Sequence, residues 1–326
     1  MLVRIPSKRD SVVYPTSPFE CKLMPAQWKS QRLISQMLLV ASHCFSLGCV
    51  RDSYQYGLGD ASSGGLFSNS RLRSPQGNPL SVGGEHPRID AIEATVQAPG
   101  KWFRKAFHKP EPDPVQTEED RQRAVAVAQA YLQANELSDV NIDVRRYEPA
   151  EQWARLQANQ RIAPLWKATG GTLSFLSYTL LPRRAFHADD YDPFTNTLSL
   201  NSTRPTSALY EAAGAKQYRK QTMLGTYTML QYVPLIPLVH HSQTTSDVLT
   251  YARVTEQTEL EQKLYPTTYA RLGGAVVSET LSVTPLAAGT PFIVAPLMRA
   301  AGSTAGAISG QVVVKNNDTL NASSNK

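Results

Sequence analysis

Apolar positions first fall into helical register just after Pro114. The run TEEDRQRAVAVAQAYLQANEL places acidic residues early and then Ala124, Val127, Ala128, Tyr131 and Leu132 three to four apart, which predicts a helix. At 140–147, VNIDVRRY alternates Val140, Ile142 and Val144 with polar neighbours, the period of a strand. A short helix is predicted over Pro149 to Ala158, with strands at 172–180, around 183–187 and at 196–200. A helix bearing LYEAAGAKQYRK starts after Pro205, with Thr203 or Ser202 as its cap. This order predicts an α+β domain over residues 114–272.

The flanking segments follow other patterns. GTYTMLQYVPLIPLV at 225–239 is uncharged, and Pro234 and Pro237 prevent a straight spanning helix. It reads as a buried connection or as a segment dipping into a membrane. Residues 280–314 carry one charge, Arg299, and Gly302, Gly306 and Gly310 recur every four residues. Such a stripe lines one helix face with small side chains and lets another helix approach closely. Membrane association is therefore predicted for 273–314, against the alternative of a soluble Ala/Gly-rich helical pair; oligomerisation through the stripe is a further reading. The tail at 315–326 is predicted to be disordered.

Residues 49–113 have the Gly, Ser and Pro content of a flexible tether. Within them KWFRKAFHKPEPDP puts Phe103 and Phe107 on one helical side near Trp102, among Lys101, Arg104, Lys105 and Lys109. That segment suits either a membrane interface or docking on the folded domain. Upstream, Lys29 and Arg32 precede an apolar run from Leu33 to Phe45, and Ser46-Leu47-Gly48-Cys49 follows. This resembles a bacterial lipoprotein signal, with translation starting at Met24 or Met37 and lipid on Cys49 after cleavage. The resemblance implies a signal peptide at 1–48 and a lipid-anchored protein of the bacterial cell envelope. The other reading is a buried helix with incidental cysteines. Cys21, Cys44 and Cys49 are the cysteines of the chain, so the mature form would retain one and hold no disulfide. A net charge of +6 without a long Lys/Arg run argues against nucleic acid and suits an anionic membrane surface.

The candidate chemistry lies in LYEAAGAKQY. A zinc-peptidase helix carries His-Glu-x-x-His, because positions i and i+4 share a face. Here Glu211 stands in the frame, with Tyr210 and Gly214 where the imidazoles belong. Together with Pro193-Phe194-Thr195-Asn196-Thr197, and with Ala215-Lys216 after the motif, residues 115–272 resemble the bacterial zincin-like metallopeptidases of the small gluzincin type. The resemblance implies a zincin-like fold in which Thr195, Asn196, Thr197, Leu198, Ser199 and Leu200 form a sheet edge beside the motif helix. Such an edge can hold a peptide by strand addition. The alternative is that Thr195 and Asn196 only shape the turn. Catalytic zinc needs three protein donors, and a gluzincin takes its third, a Glu, from the following helix. The comparable stretch, 240–254, has Ser242, Thr244, Thr245, Ser246 and one carboxylate, Asp247. No metal or cofactor is expected, and Glu211 is left as a vestige. A metal site from His187 or His240 with Asp189, Asp190 and Asp192 is the weaker alternative to a polar loop leading into the strand and two surface or capping histidines, His240 and His241. The expected function is non-catalytic binding of a peptide or protein partner at a membrane. The alternatives are an active peptidase with unusual ligands and a structural envelope protein.

Overall fold

Thr117 caps the helix that the spacing after Pro114 predicts. Its hydroxyl accepts the Asp120 amide at 3.1 Å, and three acidic residues fill the first turn of helix α1 (Glu118–Ala134), where they complement the helix dipole. Ala124, Ala128, Tyr131 and Leu132 form its buried face. The chain here is a computed structural model describing residues 54–57, 78–84, 117–180, 188–282 and 294–324. The fold is mixed α+β, mostly helical, with one small sheet.

That sheet has four strands in the order β1 (Leu80–Val82), β2 (Asn141–Val144), β4 (Thr197–Leu200), β3 (Asp190–Asp192). β1 and β4 run parallel to β2, and β3 runs antiparallel to β4. Ile142 and Val144 enter the main core, while Asp143 on the opposite face is buried under helix α2 (Pro149–Ala158). Arg155 of α2 meets it with a 2.8 Å ion pair, and Gln152 donates to it at the same distance. Burial raises the Asp143 pKa, and Arg155 works against that rise.

Several expectations are corrected. The sheet-edge reading of residues 195–200 fails, because β4 pairs with β2 along Thr197–Leu200 on one side and with β3 along Thr197–Ser199 on the other. Its backbone groups are engaged, so no peptide strand can add there. Pro193 to Asn196 is instead the turn joining β3 and β4. Asn196 sits in the left-handed region (φ 51°), accepts from the Tyr191 hydroxyl at 2.8 Å and donates to the Asp139 carbonyl at 2.8 Å. The polar segment HADDYD contains β3. Residues 54–57 and 78–84, read as tether, belong to the fold: β1 extends the sheet, and Asn78 donates to the Leu137 carbonyl at 2.6 Å. Cys49, the segment 101–114 and the strand expected at 183–187 lie outside the described residues.

TLSFLSYTL at 172–180 is a helix, α4 (Thr172–Leu180), which follows the short turn α3 (Pro164–Trp166) and a π-helical stretch over Lys167–Gly171. Packing overrides its strand-like composition. Gly170 and Gly171 allow Met229, Phe194 and Leu156 to press against the backbone, and Phe175 packs on Trp153 with ring centroids 5.0 Å apart. Helix α5 (Pro205–Arg219) begins at Pro205 as expected, but Arg204 holds the capping position. Ser202 binds Asp189 and accepts the Arg204 amide at 3.2 Å instead.

Helices α6 (Leu224–Leu230) and α7 (Ile236–Val254) follow, then α8 (Thr258–Ser282) and α9 (Val294–Ser324). The latter two pair antiparallel, with Gly302 opposite Gly273, Gly306 opposite Tyr269 and Gly310 opposite Tyr265. A Cβ at any of these three glycines would overlap a carbonyl oxygen of α8. The stripe is therefore filled from within the chain, which corrects its reading as an oligomerisation face. Among the described residues no helix is long and apolar enough to cross a membrane.

Candidate functional site

Helix α5 is buried along most of its surface because Ala212, Ala213, Gly214 and Ala215 keep it thin. Neighbours on α7 and α8 can then place functional groups against it. From α8, the Arg271 guanidinium forms an ion pair with Glu211, donates to the Ser207 hydroxyl at 2.6 Å and stacks 4.5 Å from the Tyr210 ring centre. From α7, His241 Nδ1 lies 2.8 Å from the Tyr210 hydroxyl. His240 Nδ1 lies 3.2 Å from the Tyr227 hydroxyl, and its ring sits 4.6 Å from that of Tyr218. Tyr210, Glu211, Tyr218, His240, His241 and Arg271 line a cavity of about 300 Å³, whose wall also includes Asp190, Gln231, Pro237 and Arg299.

Gly214 lies on the cavity wall. A Cβ there would be only 3.7 Å from His240 Nε2, an ordinary contact, so packing does not demand glycine at this position. The missing side chain leaves space above the imidazole.

Burial controls the protonation of this site. It pushes the His240 pKa down to about 3, assisted by His241. It pushes His241 down to about 4, assisted by Arg271 and Arg299. Both rings are neutral at pH 7, and Tyr210, whose own pKa is raised by burial, shares a hydrogen bond with His241. Burial opposes the charge on Arg271, but Glu211 beside it more than offsets that, holding its pKa above the ordinary value.

The structure brings Tyr210, Glu211 and Gly214 together with His240 and His241, which are not the surface or capping residues expected. Neighbouring residues on a helix point about 100° apart, so His241 meets Tyr210 while His240 faces Gly214. Arg271 and Arg299 had no signal in the sequence, since nothing local ties α8 or α9 to the motif helix. Of the acids of HADDYD, Asp190 lines the cavity, while Asp189 and Asp192 have structural tasks. Asp189 accepts the Asn201 and Ser202 amides, each at 2.7 Å, and Asp192 accepts the Phe194 amide at 2.9 Å. His187 lies outside the described residues.

The donors present do not fit a zinc ion. Gly214 offers nothing, Tyr210 and His241 satisfy each other, and Glu211 is held by a guanidinium. Among the described residues no three His, Cys, Asp or Glu side chains are grouped as a metal set. Asp247, the one carboxylate expected near a third-ligand position, points elsewhere. It forms a 2.9 Å ion pair with Lys216, which is fully buried, and accepts from Tyr131. Lys216 also donates to the Gln55 carbonyl at 2.7 Å and to the Tyr54 hydroxyl at 3.2 Å, so it ties residues 54–57 to the core. No protein-family model, curated protein or solved structure matches this chain.

Proposed function

We propose that this chain is a non-catalytic, zincin-like binding protein of the bacterial envelope, held at the membrane by lipid on Cys49. Its cavity beside α5 would receive part of a peptide or protein partner. The ion pair between Arg271 and Glu211 carries the reading. In a zinc peptidase the glutamate of the motif works on a metal-bound water. Here the same position is neutralised by a cation from the protein itself, stacked on the tyrosine that replaces the first imidazole. A carboxylate held this way is a poor general base, whereas an aromatic cavity edged by fixed polar groups is a common binding surface.

Two measurements test the proposal. Elemental analysis of the purified chain should find no stoichiometric zinc, and about one zinc per chain would refute the pseudoenzyme reading. Capture from a peptide array should weaken at least about tenfold in Gly214→Leu, which projects into the cavity above His240. Equal capture by a folded Gly214→Leu chain would place binding elsewhere.

A further inference from the structure

Between Lys220 and Asp247 the chain carries no formal charge. This stretch runs from the start of α6 through the turn into α7, and large apolar side chains along it face solvent: Met223, Leu230, Tyr232, Val233, Leu235 and Val239 are 40–68% exposed. Isolated exposed hydrophobes are unremarkable, but a run of them along one uncharged turn marks an interaction site. Leu235, at the tip between Pro234 and Ile236, is in the left-handed region (φ 73°). A branched side chain seldom adopts that conformation, and here it leaves an apolar group projecting outward.

We propose that this turn docks on an anionic lipid bilayer, independently of any acyl chain on Cys49. The proposal goes beyond the binding cavity and does not rest on it. Charge at the margin identifies the occupant. Lys220 immediately precedes the stretch, Lys167 follows Trp166, which packs against Gly225 of α6, and Arg299 shares the cavity wall with Pro237 of the turn. Glu279 of α8 also reaches the tip, where it accepts the Leu235 amide at 2.9 Å. Residues 152–188, which include Lys167 and the exposed Leu173, Leu176 and Leu180 of α4, contain no acidic residue at all. An apolar turn with a tyrosine, with Lys167, Lys220 and Arg299 along its margin against the single acid Glu279 at its tip, matches a bilayer interface with its apolar interior and anionic headgroups. Docking in this way would bring the cavity, which shares Gln231 and Pro237 with the turn, close to the membrane surface.

The test uses the full chain with Cys49→Ser, so that acylation cannot contribute. It is sedimented with vesicles of phosphatidylcholine alone or with about one-third phosphatidylglycerol. The expected result is binding to the anionic vesicles that weakens with salt, and little binding to the neutral ones. Val233→Glu/Val239→Glu should lower the affinity by at least about tenfold with an unchanged thermal midpoint. Should that variant not fold, Lys167→Glu/Lys220→Glu should weaken binding to anionic vesicles selectively. The inference is overturned if no vesicles bind, or if folded variants bind as well as the parent. It is also overturned if sedimentation velocity shows a dimer that Val233→Glu/Val239→Glu dissociates, because a second copy would then cover the turn. None of these failures bears on zinc content or on peptide capture at the cavity.

Discussion

Replacing Lys216 with methionine removes a charge that the fold has fully buried. Its ammonium makes a 2.9 Å ion pair with Asp247, bonds at 2.7 Å and 3.2 Å to Gln55 and Tyr54, and sits 4.2 Å from the Tyr54 ring centre. Burial pulls the Lys216 pKa below its ordinary value, and Asp247 opposes the shift. Methionine has nearly the same volume, so the loss is electrostatic rather than a cavity. Asp247 would remain 10% exposed with Tyr131 as its described partner. Deleting one member of a buried pair costs about 3–5 kcal/mol, chiefly through the stranded charge. Lys216→Met should therefore lose about that much in urea unfolding, and Lys216→Met/Asp247→Leu should recover much of it. Tyr54→Phe, which loses its bond to Asn135 and its lone pair for Lys216, should cost about 1–2 kcal/mol. Hydrogen exchange at residues 54–57 should accelerate in both single variants. A loss under about 1 kcal/mol for Lys216→Met, with unchanged exchange there, would show that the amino-terminal segment is not fastened by this lysine.

Three other outcomes follow from the geometry. Gly306→Leu sets a side chain against the Tyr269 carbonyl, and backbone cannot swing aside, so a loss of about 2–3 kcal/mol is expected in thermal unfolding; a change within about 0.5 kcal/mol would mean the α8–α9 pair is not closely packed. Gly214→Ala meets only an ordinary contact with His240, so it should raise stability by up to about 1 kcal/mol, and a clear loss would show that the helix needs glycine there. Because His240 and His241 have folded pKa values of about 3 and about 4, below their ordinary 6.5, the unfolded chain takes up protons first as pH falls. Stability is then complete above pH 6.5 and is lost as pH drops through the folded values; denaturation followed from pH 7 to 4 should show a fall that His241→Gln makes shallower, and a flat profile would refute it.

Local periodicity was enough to place α1, β2, α2 and the start of α5, since each announces itself in a few consecutive residues through spacing or a proline. The stripe Gly302, Gly306, Gly310 likewise showed that some helix must come close, because small residues four apart permit nothing else as efficiently. It could not say that the partner is α8 of the same chain. β1 and β3 have three residues each, too few for an alternation to register, so their pairing depends wholly on β2 and β4. That pairing closed both sides of β4 and turned the Pro193–Asn196 segment into a hairpin connection.

The site divides along the same line. The absence of imidazoles at 210 and 214 is a matter of residue identity and was legible directly. The guanidinium on Glu211, the neutral histidines behind Tyr210 and the lysine holding residues 54–57 were decided only by tertiary structure. Arg271 is 60 residues from Glu211, and Lys216 is 162 from Tyr54. Contacts over such separations leave no local period in a sequence. They arise only when helices whose register is set by other residues pack together, and the same burial that creates them shifts the protonation of the groups they bring into contact.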